Sequence, residues 1–207
     1  TSRGLATLHV DESGAVVSLE SADGGKTWAA SQTVPALDEK DGKPILVAGA
    51  GDGRDLHAVF LTSEGRYLHV LSGDEGGHWQ KPVLLAVTRL CDTACIFDVR
   101  AAGGTVAFVW NEPGKGDRHV RRARLLVSRN AVNSWEESPL AGGLAADSGW
   151  PVVRLTPEAG LFAVLSAHPE EGKGGGRFVL VRTAQGIDAP APAWPEDRKV
   201  PEWWAGK

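Results

Sequence analysis

Two acidic residues recur in the same local setting and are the first candidates for chemistry. Asp23 lies in the segment SADGGKTW, residues 21–28, and Asp74 lies in SGDEGGHW, residues 72–79. Carboxylates can act as general acids or bases in catalysis, and they can bind Ca²⁺. No run of alternating acids like that of an EF-hand loop follows either residue, so the sequence does not support a metal site.

The repetition favours a structural role for these acids. A third and weaker copy, SRNAVNSW, covers residues 128–135. A short Asp or Ser side chain accepts hydrogen bonds from nearby backbone N–H groups in a tight turn, Gly allows a positive φ, and Trp places a large apolar plate between neighbouring sheets. A unit that recurs every 50 or so residues predicts stacked supersecondary repeats. We therefore expect Asp23 and Asp74 to stabilise hairpins.

The three copies resemble the Asp box, Ser-x-Asp-x-Gly-x-Thr-Trp, of sialidases and related β-propellers. The first copy matches every fixed position, the second has His78 in place of Thr, and the third departs at three positions. The resemblance implies a β-propeller of four-stranded antiparallel blades, with each box between the third and fourth strands. The box residues are Ser21, Asp23, Gly25, Thr27 and Trp28; Ser72, Asp74, Gly76 and Trp79; and Ser128, Asn130 and Trp135.

The rest of the sequence predicts an all-β fold. Apolar stretches are short and rich in Val, Leu and Ala, and 26 Gly and 12 Pro residues interrupt them, as in many short antiparallel strands. No segment keeps apolar residues at helical spacing for three or four turns. We predict about four blades, the first incomplete, over residues 1–35, 44–88, 95–140 and 150–187, followed by a tail with Pro and Trp at 188–207.

The charge pattern excludes several classes of partner. The net charge is −4, and the 22 basic and 26 acidic residues are mixed, without the basic cluster that nucleic acid or an anionic membrane would favour. No apolar run approaches the length of a membrane span, and residues 1–10 lack the features of a secretion signal. We expect no nucleic acid, no membrane span and no cofactor. Because the chain begins at Thr1 and has no Met, we expect that it lost a leader or was cut from a longer product.

Blade one shows only three predicted strands, and its innermost strand is missing. The tail is a poor donor of that strand because it holds four prolines, which remove ladder hydrogen bonds. We therefore expect an incomplete propeller that a protein partner, a second copy or sequence outside this chain completes. Trp203 and Trp204 either contact that partner or belong to a tail folded back on its own domain.

Blade topology separates two ends of the molecule. If the boxes lie at one end, the box face, then the loops between second and third strands and the loops between blades lie at the other end, the loop face, which usually binds ligands in propellers. Two of these loops, 111–121 and 168–177, are long and polar; such loops are also often simply solvated. The candidate binding residues are Arg66, Arg89, Asp92, Asp117, Arg118, His119, Asp147 and Trp150.

Cys91 and Cys95 lie in one of the loops between blades. A Zn site would need two further ligands, and no Cys/His pair at the required spacing is nearby. We predict a local disulfide, which fits the extracellular or periplasmic setting that the resemblance implies. Two free thiols are the alternative.

The resemblance also raises the question of glycoside hydrolysis. Sialidases bind the substrate carboxylate with an arginine triad and use a Tyr nucleophile, assisted by Glu, together with an Asp acid/base. Tyr67 is the only tyrosine and Glu64 lies close to it, so these two are the catalytic candidates, with a strand-end role for Tyr67 as the alternative. The Arg-Ile-Pro segment that opens a sialidase site is absent. The leading hypothesis is a non-catalytic, exported recognition or scaffolding module that binds protein or glycan through the loop face; the alternative is part of a sialidase-like glycoside hydrolase.

Overall fold

The computed structural model describes residues 4–34, 37–88, 96–113, 121–130, 132–138, 148–155, 161–167 and 177–182. These residues form β-strands and one 3₁₀ turn, Glu39–Asp41. No helix in the described part of the chain is long and apolar enough to cross a membrane. The prediction of an all-β fold is confirmed.

The strands form four antiparallel sheets that follow one another along the chain, and within each sheet the strands pair in sequence order. Each sheet is one blade. The blades comprise β1 (Leu5–Val10), β2 (Val16–Ser21) and β3 (Ala29–Thr33); β4 (Pro44–Asp52), β5 (Asp55–Thr62), β6 (Arg66–Ser72) and β7 (Val83–Val87); β8 (Phe97–Ala102), β9 (Thr105–Pro113), β10 (Arg121–Ser128) and β11 (Glu136–Ser138); and β12 (Ser148–Leu155), β13 (Leu161–Ala167) and β14 (Arg177–Arg182).

The second strand of a complete blade is apolar on both faces because neighbouring blades cover both. Every residue of β5 after Asp55 is buried, and so are the first seven residues of β9. Apolar and polar residues do not alternate along these two strands, as they would if one face of each strand were solvated. A tight turn at Gly53, with φ 62°, joins β4 to β5.

Three apolar clusters hold the blades together. The 1–2 interface joins blades one and two, the 2–3 interface joins blades two and three, and the 3–4 interface joins blades three and four. The 2–3 interface is the most aromatic, and its rings Phe108 and Trp110 stack with centroids 4.9 Å apart. The buried members are Val16, Val34, Ala58, Phe60, Leu68 and Val70; Val59, Leu61, Tyr67, Val99, Val106, Phe108 and Trp110; and Ala107, Val109, Leu125, Val127 and Val153.

Blade one is incomplete among the described residues, as predicted. Its innermost strand is β1, which pairs with β2 alone. Leu5, Ala6, Thr7 and His9 of this strand are exposed, whereas the corresponding strand of blade two, β5, is buried almost throughout. Within the described ranges, the inner edge of blade one is therefore not paired with another strand.

Blade four begins two residues earlier than the predicted start at Trp150. Its pairing with β13 shifts register between Gly149 and Val152. Pro151 lies in this stretch, and proline fits a bulge or an edge strand because it has no N–H to donate. The predicted tail at 188–207 lies outside the described residues.

Candidate functional site

The Asp23 carboxylate organises the first box turn. Its Oδ1 accepts hydrogen bonds from Ser21 Oγ at 2.8 Å and from the N–H groups of Lys26 and Thr27, each at 2.9 Å, while Oδ2 accepts from Thr27 Oγ1 at 2.7 Å. The N–H of Gly25, at φ 93°, donates to Ser21 Oγ at 2.7 Å. The bonds from Thr27 and Ser21 hold the pKa of Asp23 well below its usual range. This carboxylate is thus engaged within its own turn.

The second box reaches the same geometry with a different residue. Asp74 Oδ1 accepts from Ser72 Oγ at 2.8 Å and from the N–H of His78 at 2.7 Å, and His78 Nδ1 lies 2.6 Å from Asp74 Oδ2. The imidazole stands where Thr27 stands in the first box. Its bond to Asp74 is the main reason why the pKa of that carboxyl is well below its usual range.

The third box keeps the turn without a charge. Asn130 Oδ1 accepts from Ser128 Oγ at 3.1 Å and from the N–H of Ser134 at 3.0 Å, and the N–H of Val132 donates to Ser128 Oγ at 3.0 Å. Val132 occupies the glycine position at φ 63°, a strained conformation for a β-branched residue. The neutral amide also makes weaker hydrogen bonds than a carboxylate. We infer that this turn is the least stable of the three.

At the loop face, Arg66 lies in a bonded network that joins two loops. Its Nη1 is 3.3 Å from Oδ1 of Asp41, the last residue of the 3₁₀ turn. Nearby, Ser63 and Lys43 exchange hydrogen bonds: the N–H of Ser63 donates to the Lys43 carbonyl at 2.8 Å, and the N–H of Lys43 donates to Ser63 Oγ at 3.1 Å. The loop between blades one and two and the β5–β6 turn therefore form one polar surface.

The two catalytic candidates differ in access to solvent. Tyr67 is fully buried in the 2–3 interface, where its ring centroid lies 5.3 Å from Phe97 and 5.1 Å from Phe108. Glu64 is exposed in the β5–β6 turn. A nucleophile must reach its substrate, and a ring enclosed by other aromatic rings does not. This placement favours the structural interpretation of Tyr67.

The other predicted site residues cannot be placed in this surface. The side chain of Trp150, in β12, is outside the described part, and the pairing of the two cysteines stays a prediction. The residues outside the described ranges are Arg89, Cys91, Asp92, Cys95, Asp117, Arg118, His119 and Asp147.

Sequence reasoning missed a charged cluster on blade three. Arg124 of β10 binds both carboxylate oxygens of Glu137 at 2.6 Å and Oε2 of Glu112 at 2.9 Å, and its guanidinium lies 5.7 Å from the ring centroid of Trp110. The bonds to Glu137 are the main reason why the pKa of Arg124 is raised. These residues come from three neighbouring strands, so only the ladder register brings them together.

A second missed cluster lies on the innermost strands of blades three and four. Asp98 of β8 pairs with Arg100 Nη1 at 2.9 Å, and its other oxygen lies 3.1 Å from the Val153 N–H and 3.5 Å from Arg154 Nη1. Burial raises the pKa of Asp98, and the two arginines oppose that rise. The carboxylate fastens β12 to β8, while both guanidinium groups remain partly exposed.

A pair of histidines is buried between blades two and three. His57 Nδ1 lies 3.1 Å from His69 Nε2, and the ring of Trp135 meets His69 edge-on at 5.3 Å. Burial lowers the pKa of His69 to about 3 and also lowers that of His57. Both imidazoles are therefore neutral near pH 7, and one donates a hydrogen bond to the other.

The same place in the 1–2 interface is empty. Leu8 pairs with Ser18 in blade one, and Val59 pairs with His69 at the equivalent position of blade two. Ser18 therefore holds the position of His69. Ala6, two residues before Leu8, holds the position of His57, two residues before Val59. A cavity of about 340 Å³ lies there, lined by residues of β1, β2, β4 and β5 and by Trp79. Two small side chains thus stand where two imidazoles fill the next interface.

Comparison with solved structures identifies the fold. The α-L-arabinanase of Penicillium chrysogenum, in complex with arabinobiose, superimposes with a TM-score of 0.58 at 16% identity, over 84% of this chain and 56% of that one. A mutant of Trypanosoma rangeli sialidase displaying trans-sialidase activity gives 0.54 at 19% identity, over 88% of this chain and 29% of that one. The chain has a sialidase-like β-propeller fold.

A third solved structure extends this propeller comparison. A protein of unknown function from Dyadobacter fermentans gives a TM-score of 0.57 at 18% identity, over 87% of this chain and 58% of that one. The chain thus spans little more than half of the arabinanase and of the Dyadobacter fermentans protein. No protein-family model and no curated protein matches the sequence. At these identities the likeness concerns the fold alone.

Proposed function

We propose that this chain is part of an exported propeller that recognises a glycan or a protein through its loop face and does not itself hydrolyse a glycosidic bond. The observation that supports this most directly is the burial of Tyr67, the only tyrosine of the chain. A sialidase-type mechanism needs a tyrosine that reaches the substrate, and none of this chain's residues supplies one.

The polar surface around Arg66 supports recognition at the loop face. Its guanidinium is fixed by Asp41, the side chain remains 34% exposed, and Glu64 is exposed in the adjacent turn. Binding sites for small molecules use a few such oriented polar groups to set specificity. Because the loops here are already joined by backbone hydrogen bonds, little ordering is needed when a ligand binds.

The alternative is a glycoside hydrolase that shares its catalytic residues with polypeptide outside this chain. The solved structures favour it, since they include an arabinanase with arabinobiose and a sialidase, and this chain spans only part of each. Most glycosidases need two carboxyl groups beside the scissile bond. The described acid with a raised pKa, Asp98, is instead held by two arginines and a backbone N–H.

The experiment is a pair of NMR titrations of the full chain, with arabinobiose and with 3′-sialyllactose, and a parallel assay for sugar release. We expect at least one sugar to bind and Arg66→Ala to weaken that binding at least tenfold. Arg129→Ala is the matched control, because Arg129 is an exposed arginine in the third box. We expect the control to bind like the parent and neither sugar to be hydrolysed.

Two results would contradict the proposal. Sugar release that Glu64→Gln abolishes would favour the hydrolase. Binding that Arg129→Ala abolishes and Arg66→Ala leaves unchanged would move recognition to the box face.

A further inference from the structure

The inner edge of β1 carries backbone hydrogen-bonding groups that no described strand pairs with. The N–H of Asp11 donates to the carbonyl of Ala15 at 2.8 Å, so Asp11 and Ala15 form a hydrogen-bonded pair. The N–H of Val34 donates to the carbonyl of Val16 at 2.9 Å, so this carbonyl points toward β3 and away from β1. Hydrogen-bonded and non-hydrogen-bonded pairs alternate along an antiparallel ladder, so the pair Val10–Val16 is of the second kind. The inward-pointing N–H and C=O groups belong to Ala6, Leu8 and Val10.

In blade two the same groups are paired. The positions of Leu8 and Ala6 correspond to Val59 and His57, which pair with Ala48 and Ala50 of β4. Among the described residues, no strand pairs with β1 on this side. Three donors and three acceptors in a row form a template for one more strand.

The next inner strand is only partly covered on the side toward blade one. In β4, Gly49 and Gly51 lie on that side and are exposed, whereas β8, the equivalent strand of blade three, has no exposed residue. The strand β8 packs against β4, and β1 also contacts β4, but no described strand lies on the inner side of β1 to cover the rest of β4. These exposed glycines of β4 lie where an inner strand of blade one would pack.

The cavity between blades one and two opens beside this edge. It is lined by residues such as Ala6, Ser18, Gly49 and Gly51, and none of its lining residues is Asp, Glu, Lys or Arg. The Nε1 of Trp79, also in the lining, is buried without a hydrogen-bond partner in the described part of the chain. An occupant without charge, offering a carbonyl to this donor, fits the site.

We propose that the inner edge of β1 and this cavity form a docking site for an extended, uncharged polypeptide strand, which adds to blade one antiparallel to β1. The occupant should resemble β4 in sequence, because β4 is the inner strand of blade two and turns its small residues Ala48 and Ala50 toward the next blade. The arabinanase supports this, because its chain contains polypeptide beyond the 56% that this chain covers. The docking site concerns assembly and does not depend on the function proposed above.

The test measures amide hydrogen exchange of the full chain by NMR, with and without an isolated peptide of the sequence PILVAGAG, which is that of residues 44–51, with acetylated and amidated ends so that it carries no charge. In the free chain we expect fast exchange at Ala6, Leu8 and Val10 and slow exchange at Thr7 and His9, which are bonded to β2. Excess peptide should slow the first three amides at least tenfold. A peptide N-methylated at alternate residues should have no effect, because it has lost donors.

A matched pair of variants tests the cavity. Ala6→Glu places a charge at the cavity and should weaken peptide binding at least tenfold, while His9→Glu, at an exposed position on the opposite face of the strand and outside the cavity lining, should not. Equal binding by both variants, or peptide binding without slower exchange at the β1 edge, would overturn the proposal. So would an edge already protected in the free monomer, or protected by dimerisation in sedimentation experiments, since the chain itself or a second copy would then be the occupant.

Discussion

The 1–2 and 2–3 interfaces are built on the same ladder positions and packed in different ways. In the 2–3 interface, His57 and His69 fill the space beside Trp135, and the inner strand of blade two packs against the inner strand of blade three. In the 1–2 interface, Ala6 and Ser18 occupy those positions and a cavity of about 340 Å³ remains. The repeat thus determines where the strands run, while two side chains and one strand decide whether the space between two blades is filled.

The largest expected difference between the interfaces comes from removing a core ring. Phe108 is fully buried among Tyr67, Phe97 and Trp110, so Phe108→Ala should lower the free energy of unfolding by about 3–5 kcal/mol. Leu8→Ala in the 1–2 interface should cost less, because Leu8 is only partly buried beside an existing cavity. Urea denaturation measures both. Equal losses would contradict the view that the 2–3 interface is the better packed.

The same contrast shows what can be predicted from the sequence. The box turns and the all-β fold of short strands could be predicted because their signals are local: Asp, Gly and Trp at set spacing, and short apolar runs between turn residues. The contacts of Asp98 with Val153 and Arg154 could not, because they join residues 55 and 56 positions apart. Their proximity depends on how one blade is placed against the next, which no local pattern specifies.

In the candidate site too, some features could be predicted from the sequence and others could not. Arg66 could be placed on the loop face from strand order alone, and the structure pairs it with Asp41. The burial of Tyr67 could not be foreseen, since it depends on aromatic residues of the next blade. The cluster of Arg124 with two glutamates needed the pairing register of three strands.

The buried histidines should make the 2–3 interface sensitive to acid. A histidine has a pKa near 6.5 when the chain is unfolded, and that of His69 is about 3 in the fold. Between these values the unfolded state binds more protons, so the stability that is present above pH 6.5 is lost as the pH falls. The expected slope is about 1.4 kcal/mol per pH unit for one proton, measured by urea denaturation between pH 7 and 4.5.

A double variant that copies blade one is the control for this pH dependence. His57→Ala with His69→Ser places the residues of the 1–2 interface in the 2–3 interface. It should flatten the profile between pH 6.5 and 4.5, a range above that in which Asp23 and Asp74 titrate. A profile as steep as that of the parent would show that other groups cause the acid sensitivity.

The smallest expected difference lies in the box turns that border the two interfaces, since Trp79 of the second box lies in the 1–2 interface and Trp135 of the third lies in the 2–3 interface. Ser72→Ala removes a buried hydroxyl that accepts from the Gly76 N–H at 2.8 Å and donates to Asp74 at 2.8 Å.

The loss of free energy of unfolding from Ser72→Ala should be about 1–3 kcal/mol, because the Gly76 N–H is left unpaired in a buried site. Ser128→Ala should cost less, since Ser128 donates at 3.1 Å to the neutral amide of Asn130 and its turn already holds Val132 at a strained φ of 63°. Thermal and urea denaturation of both variants give the comparison. A larger loss from Ser128→Ala would mean that the box beside the packed 2–3 interface depends on its serine more than the charged box does, and the ranking of the turns by their hydrogen bonds would be wrong.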